Sequence, residues 1–235
     1  MKRLIFDIET LPADESSRGS LKFLYEKKLE KKAKQKAISG EIPAEEGEND
    51  FENYLSGTSF DGSFGRILCI AYAINDEGVM IICNPDNEKK ILEDFWFIAG
   101  QCDLFIGHNV MDFDLRFILQ RSIILEVKPS WNRFQELGKK PWEISKYLSF
   151  ARYNNLPIFD TMHEWGNWGN SRDKVSLEHL AIALGIPTPK DGIDGSRIYE
   201  FYKAGKVKEI CDYCMRDVEA TRAIYKRMTF QEKLF

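Results

Sequence analysis

The chain has 235 residues, of which 43% are hydrophobic and 13% aromatic, and its 33 basic and 37 acidic side chains leave a net charge of −4. This composition is typical of one large folded domain, or of one domain with an insertion. The acidic balance gives no support to tight duplex-DNA binding by bulk charge. No run of roughly 18 apolar residues and no apolar leader is present, so neither a membrane span nor a secretory signal is predicted.

The five cysteines are odd in number, and most of them lie in apolar segments. This pattern indicates packed, reduced thiols and an intracellular, cytoplasmic protein. Cys211 and Cys214 have the spacing of a zinc or redox pair. Because no second pair at ligand spacing exists and the segment is predicted to be helical, the sequence does not favour zinc there.

Apolar runs and turn signals predict five strands, at 2–8, 64–74, 78–83, 104–109 and 158–160, and the strand within 104–109 ends at a glycine. The turn at 75–78, Asn-Asp-Glu-Gly, predicts a hairpin between the second strand and the third. Helical spacing of apolar residues predicts helices at 88–99, 114–120, 177–184 and 206–228. An antiparallel set of strands, followed by strands that alternate with helices, predicts a mixed α/β sheet covered by helices.

Two segments do not fit this core. The first, at about 13–60, holds a Lys/Glu-rich run at 22–36, predicted to be an exposed helix, and an acidic stretch at 41–50, predicted to be a mobile loop. The alternative is a flap whose lysines touch nucleic acid. The second, 126–155, is rich in aromatic residues, which either pack or line a groove where bases stack. We expect one domain over 1–235 with a charged insertion at about 13–60.

The first predicted strand ends in two carboxylates, Asp7 and Glu9, separated by one apolar residue. Side chains alternate between the two faces of a strand, so both carboxylates point the same way. Two like charges side by side repel each other, and a divalent metal ion would remove that penalty. The alternative is a strand end that leads into a polar loop.

Two further acidic positions lie on predicted helices. Asp114 is at a helix start, where a carboxylate is favourable as a cap or near the helix dipole. Tyr213 and Asp217 are four residues apart on the last helix and therefore share a face. Taken alone, these residues are explained by capping and by a solvated helix surface.

Taken together, the three motifs resemble those of the DnaQ-like 3′–5′ exonucleases in the tyrosine-bearing (DEDDy) branch. They are Asp-x-Glu on a first strand, Asn-x-x-x-Phe-Asp between a middle strand and a helix, and Tyr-x-x-x-Asp on a late helix. Their context is similar to that of the predicted exonucleases related to the proofreading domain of family-B DNA polymerases. This resemblance covers residues 1–12 and most of the chain from 64 onward, through segments at 159–165, 176–181, 185–195 and 213–218.

The resemblance implies an RNase H-like fold and a site of four carboxylates, Asp7, Glu9, Asp114 and Asp217. Such hard oxygen ligands suit two divalent ions, Mg²⁺ or Mn²⁺, which can clamp both oxygens of a phosphodiester displacement. By analogy, Asp7 would bridge both ions, Glu9 and Asp217 would hold the ion that activates water, and Asp114 would hold the leaving-group ion. Tyr213 would orient the water, since an ordinary tyrosine is a poor base.

The resemblance also places Thr10, Asn109 and Phe113 near the substrate. Asp112 is the rival of Asp114, but its spacing from Asn109 and the position of Phe113 favour Asp114. The remaining polar candidates are expected to pack, to form hydrogen bonds or, for Asp160, to cap a helix. These residues, some with no assigned role, are His108, Asp160, His163, His179, Lys190, Asp191 and Asp194.

The expected partner is a single-stranded nucleic acid 3′ end, with DNA favoured over RNA because the similar families are polymerase proofreading domains. A 3′–5′ exoribonuclease of the same fold is one alternative. A catalytically inactive nucleic-acid-binding module is another, and the presence of all four carboxylates and Tyr213 argues against it. No membrane partner is expected. Because no polymerase domain follows in the sequence, association with a polymerase or repair machinery would occur in trans.

Overall fold

The computed structural model describes residues 1–39, 50–130, 158–166, 174–188 and 195–231. The chain divides into two compact units, Met1–Glu9 with Ile67–Phe235, and Thr10–Arg66. The second unit occupies nearly the same range as the predicted insertion at 13–60. The predicted organisation, one domain over 1–235 with an insertion, stays a prediction.

Five strands form one sheet in the order β3-β2-β1-β4-β5. Their bounds are β1 Arg3–Leu11, β2 Arg66–Ile74, β3 Met80–Cys83, β4 Leu104–Gly107 and β5 Ile158–Asp160. β1 runs parallel to β4 and β4 parallel to β5, whereas β2 and β3 form an antiparallel hairpin. The predicted mixed α/β sheet is therefore confirmed.

The α-helices of the described ranges are α1 Arg18–Ser39, α2 Asp50–Gly57, α3 Glu88–Ala99, α4 Asp114–Ile124, α5 Thr161–Trp165, α6 Leu177–Ala183, α7 Ile198–Lys203 and α8 Val207–Met228. The four helices predicted in the core correspond to α3, α4, α6 and α8. The sequence pattern missed α2 and α7, because α2 buries no residue and α7 buries only Ile198, which leaves no apolar stripe to detect. No helix among the described residues combines the length and apolarity needed to cross a bilayer.

β1 has one apolar face and a second face that also carries acidic side chains. Leu4, Phe6 and Ile8 are buried in the main hydrophobic core, where the ring of Phe6 lies 5.2 Å from that of Phe95. Because side chains alternate along a strand, Asp7 and Glu9 face the other way, on the same side as the buried Ile5 and Leu11. The second face of β1 thus contributes both apolar packing and the two carboxylates.

The first motif lies inside β1, whereas the sequence placed it at a strand end. Asp7 and Glu9 are followed by Thr10 and Leu11, and Leu11 is only 2% exposed. The burial of this additional apolar side chain accounts for the longer strand. Both carboxylates are consequently held by a strand, which gives them a more rigid support than a loop would.

β4 ends at Gly107, the glycine at which the sequence placed the end of this strand, and a sharp turn leads from there to α4. A side chain on Gly107 would place its Cβ only 2.5 Å from the Cβ of Val110, so the turn requires glycine. Asn109 has a φ of 60°, in the left-handed region that asparagine tolerates better than most residues. This turn brings the start of α4 back toward β1.

The second unit contains α1 and α2. The Lys/Glu-rich run lies in α1, most of whose side chains are exposed, which confirms the predicted exposed helix. Tyr25 of α1 packs its ring against Phe51 and Tyr54 of α2, at centroid distances of 5.4 and 5.2 Å. The predicted mobile loop at 41–50, except for Asp50, lies outside the described residues, as do Trp131, Trp142, Tyr147, Phe150 and Tyr153.

Candidate active site

Helix α8 carries the third motif on its buried face. Ile210, Cys214 and Val218 are fully buried at helical spacing, and this apolar stripe packs α8 into the first unit. Tyr213 and Asp217 are each 7% exposed on the adjacent strip of the same helix. The spacing that places apolar residues in the core therefore also buries the tyrosine and the carboxylate.

Four carboxylates converge, on β1, on the start of α4 and on α8. Glu9 is 8% exposed, Asp114 is 3% exposed, and Asp7 is partly buried. The backbone N–H of Ile8 donates to Oδ1 of Asp114 at 3.1 Å, which ties the start of α4 to β1. The structure thus brings together the four carboxylates that the sequence predicted as metal ligands, although their roles stay predictions.

The electrostatics of this cluster are unfavourable without a counter-charge. Burial raises the pKa of Asp7 and that of Glu9 well above their usual range, and the charges of the neighbouring carboxylates raise both further. Burial also raises the pKa of Asp114 to about 7, although its hydrogen bonds with two backbone N–H groups act in the opposite direction. Carboxylates that are buried together can all be ionised only if a cation compensates them.

Tyr213 lies beside the cluster as a neutral hydroxyl. Burial raises the pKa of its phenol, as do the charges of Asp217, Glu9 and Asp7 and its hydrogen bond with Asp217. A phenol in this environment keeps its proton, so it can orient a water molecule but cannot act as the general base. This agrees with the role that the resemblance implies.

Cys214 is the residue near the site that the sequence reasoning missed. Its thiol contacts Asp7, with Sγ 3.4 Å from Oδ2 and 3.5 Å from the backbone oxygen. One ligand atom from each of Asp7, Glu9 and Cys214 lies within 4.8 Å of the others, a grouping that can hold a metal ion. The available signal was the position of Cys214, directly after Tyr213, but the sequence was interpreted there as a packed thiol.

Asp112 and Asp114 have opposite environments although they are two residues apart. Oδ2 of Asp112 lies 3.1 Å from Nε2 of His163 and 2.6 Å from Nζ of Lys174, and this side chain is 52% exposed. The hydrogen bond with His163 is the largest cause that lowers the pKa of Asp112. Asp112 is therefore engaged in an outer ion pair, which supports the choice of Asp114 for the cluster.

Asp160 is a helix N-cap, as predicted, and it also holds the turn after β4. Its Oδ1 accepts the backbone N–H groups of Met162 at 3.0 Å and of His163 at 3.3 Å, in the first turn of α5. The same carboxylate accepts the N–H groups of Asn109 at 2.9 Å and of Met111 at 3.1 Å. Asp160 therefore fixes the loop that precedes Asp114.

His108 and His179 have no ligand role that the geometry supports. Nδ1 of His108 lies 2.9 Å from the Thr161 hydroxyl and Nε2 lies 3.0 Å from the Val175 carbonyl, and burial lowers its pKa. His179 is exposed on α6. Lys190, Asp191 and Asp194 lie outside the described residues.

The three predicted substrate-contacting residues occupy different environments. Asn109 lies in the turn held by Asp160, and Phe113 directly precedes α4, with its ring 5.7 Å from that of Phe117. Thr10 belongs to the second unit, where its hydroxyl donates to the Ser59 carbonyl at 2.7 Å. Their contact with a substrate stays a prediction.

Residues 63–234 match a family model described as a predicted 3′–5′ exonuclease related to the exonuclease domain of PolB. This range includes Asp114, Tyr213 and Asp217, whereas Asp7 and Glu9 precede it. No curated protein matches the sequence.

Among solved structures, the chain is similar to the family B DNA polymerase from the hyperthermophilic archaeon Pyrobaculum calidifontis. The TM-score is 0.56 at 13% identity, over 97% of this chain and 24% of the polymerase chain. At this identity the likeness shows the fold, and the chain spans about a quarter of the polymerase. Because the family model matches most of its length, the chain belongs to the family of predicted 3′–5′ exonucleases related to the exonuclease domain of PolB.

Proposed function

We propose that the protein is a metal-dependent 3′–5′ exonuclease that hydrolyses phosphodiester bonds at single-stranded 3′ ends. The observation that carries this proposal is the buried convergence of Asp7, Glu9, Asp114 and Asp217. Such a cluster is costly for folding unless cations occupy it, so a binding site for divalent cations is the simplest reason for its presence. Family membership supports the same reaction class.

The donor set fits Mg²⁺ or Mn²⁺, which prefer carboxylate oxygens. Two such ions, when bound, would supply a hydroxide nucleophile at neutral pH and neutralise charge on the leaving oxygen. Asp7 is the candidate ligand shared by both ions, Glu9 and Asp217 are candidates for the ion on the water side, and Asp114 for the ion on the leaving-group side.

Other residues position the candidate metal ligands. The Ile8 N–H holds the Asp114 carboxylate, and the Cys214 thiol donates to the Asp7 carboxylate. Tyr213 keeps its hydroxyl proton in the hydrogen bond with Asp217, and its oxygen can accept a hydrogen bond from a water molecule. Burial limits the conformational freedom of Asp114 on α4 and of Tyr213 and Cys214 on α8. Little reorganisation of these side chains is therefore needed when a phosphodiester binds.

We propose DNA as the preferred substrate, because the family is described by its relation to a DNA polymerase exonuclease domain. Action at a polymerase-generated end and a repair or end-trimming role would use the same chemistry. RNA is the alternative substrate, and it is tested beside DNA.

The test uses matched DNA and RNA oligonucleotides labelled at either end, incubated with Mn²⁺, with Mg²⁺ or with EDTA. We expect 5′-labelled DNA to shorten by single nucleotides and 3′-labelled DNA to release a labelled mononucleotide at once. EDTA should stop both reactions. A matched D217N variant should be inactive on every substrate, which excludes a contaminating nuclease.

Each outcome has a defined meaning. Faster digestion of RNA would replace DNA by RNA as the substrate. Binding of oligonucleotides without hydrolysis in either metal would contradict the enzyme proposal and favour the binding module. Release of label from the 5′ end first would contradict the proposed polarity.

A further inference from the structure

The thiol of Cys214 lies where a metal ligand would lie. Its Sγ is 3.4 Å from Oδ2 of Asp7, and the three candidate ligand atoms of Asp7, Glu9 and Cys214 are all within 4.8 Å of one another. In a tetrahedral zinc site, bonds of about 2.3 Å to sulfur and 2.0 Å to oxygen separate the two ligand atoms by about 3.5 Å. The observed separation matches this edge.

Cys214 does not stand alone. It forms a hydrogen bond with Cys69 of β2, which also forms one with Cys211 of α8, and Cys211 forms one with Cys83 of β3. Cys69 and Cys83 are partners across the β2–β3 ladder. A row of thiols thus leads from the sheet to the carboxylate cluster, and all five cysteines of the chain are free thiols.

We propose that Cys214 joins Asp7 and Glu9 as a ligand for a thiophilic divalent cation, of which Zn²⁺ is the probe used here. Mg²⁺ and Mn²⁺ prefer oxygen, so they would use the carboxylates alone, whereas zinc is selected by thiolate. The site therefore has two metal-binding modes that share Asp7 and Glu9. Zinc bound through the thiolate competes with the catalytic ions and inhibits hydrolysis. This inhibition rests on the proposed function, whereas zinc binding does not.

The binding step balances simply. The Cys214 sulfur lies as a hydrogen-bond donor against the Asp7 carboxylate and backbone oxygen, so in the absence of a cation it is a thiol. Zinc binding forms one Zn–S bond, breaks the S–H bond and releases that proton to solvent, with no oxidation or reduction. The hydrogen bond that the thiol donates to Asp7 is lost in the same step, which frees Oδ2 to coordinate the ion.

Zinc K-edge X-ray absorption on the full chain, loaded with one equivalent of Zn²⁺, tests this directly. We expect one sulfur neighbour at about 2.3 Å together with oxygen neighbours. In C214S the sulfur neighbour should disappear. C102S is the matched control, because Cys102 is also buried but its thiol donates to the Ile98 carbonyl, away from the row of thiols. The C102S protein should keep the sulfur neighbour of zinc.

The other outcomes overturn the proposal. Zinc with only oxygen and nitrogen neighbours in the wild-type protein would show that Cys214 is not a ligand, whether or not C214S folds. Two or more sulfur neighbours that survive in C214S but vanish in C211S would place the ion in the thiol row instead. Failure of the wild-type protein to bind zinc would also contradict the proposed zinc site.

An inhibition assay separates this inference from the proposed function. Each protein is assayed with Mn²⁺ and increasing Zn²⁺, relative to its own activity without zinc. The zinc concentration for half-inhibition should rise roughly tenfold or more in C214S, since even the loss of a supporting group costs 10–100-fold in metal affinity, and should be unchanged in C102S. Equal sensitivity of all three proteins would contradict the shared-site mode. Absence of hydrolysis at any zinc concentration would instead contradict the proposed function, while the X-ray absorption result still decides the binding mode.

Discussion

The sheet carries two kinds of buried carboxylate, and their surroundings differ. Asp160 is fully buried at the end of β5, where four backbone N–H groups donate to it. Asp7 and Glu9 are on β1, where they face Asp114 and Asp217. One carboxylate is compensated by the protein itself, and the others are opposed by further carboxylates.

The groups around a buried carboxylate decide whether it stabilises the fold. A carboxylate that has its hydrogen bonds satisfied by backbone donors stabilises local structure, here the turn after β4 and the start of α5. Carboxylates that repel one another lower the stability of the fold when they are ionised, and we propose that a bound cation compensates them. Removing the charge of Asp160 should therefore lower the stability of the fold, whereas removing a charge from the carboxylate cluster should not.

The largest expected effect is the loss of hydrolysis in D217N. A neutral amide is a poorer ligand than a carboxylate, so we expect kcat to fall by about 10²–10³-fold or more, as for other groups that act on the transition state. The melting temperature should stay equal or rise, because a buried charge is removed. Activity measured with Mn²⁺, together with a thermal melt, checks both parts, and an active D217N protein would contradict the site assignment.

Asp160→Ala should act on stability instead. It leaves the N–H groups of Asn109 and Met111 without their acceptor, so we expect a loss of about 3 kcal/mol or more in the free energy of unfolding. Urea unfolding followed by fluorescence measures this loss. The D160N variant keeps one acceptor oxygen and should lose less. If D160A were as stable as the wild type, the compensated carboxylate would not be structural.

The metal-free protein should become less stable as the pH rises from about 4 to about 7. Acids whose pKa is raised in the folded state bind more protons there than in the unfolded state, so the free energy of unfolding falls between the ordinary value of 3.8 and, for Asp114, about 7. Thermal melts in EDTA should show this decline, and Mn²⁺ should reduce it. In D114N the melting temperature should fall less steeply with pH. Each kcal/mol of pH-dependent stability that is removed corresponds to roughly 2–4 °C in melting temperature. Equal slopes for D114N and the wild type would contradict the raised pKa.

The smallest effect is expected for D112N. Asp112 is 52% exposed and pairs with Lys174 and His163 outside the cluster. Such a pair contributes about 1 kcal/mol or less, and hydrolysis should stay within about twofold of the wild type. A D112N variant as inactive as D217N would show that the wrong aspartate had been assigned to the cluster.

Local spacing was enough to predict much of this site. The alternation of a strand puts Asp7 and Glu9 on one face, and the helical repeat puts Tyr213 beside Asp217, so two of the three motifs follow from short-range geometry. The mixed sheet followed in the same way from the order of apolar runs. The choice between Asp112 and Asp114 needed the family pattern, and the structure supports it.

Other features depend on contacts between distant parts of the chain. Cys214 and Asp7 are separated by 207 positions, and no local pattern encodes their contact. The second role of Asp160, in holding the turn around Asn109, likewise joins residues about fifty positions apart. The extra residues of β1 depend on burial of Leu11, which a short apolar run does not reveal.

Mn²⁺ binding followed by electron paramagnetic resonance tests whether the buried carboxylates form a cation site. The signal of free Mn²⁺ should decrease as wild-type protein is added, and D7N should bind markedly less, with D112N as the matched control that binds like the wild type. Equal Mn²⁺ binding by the wild-type protein and D7N, or no binding by the wild-type protein at millimolar Mn²⁺, would contradict the account.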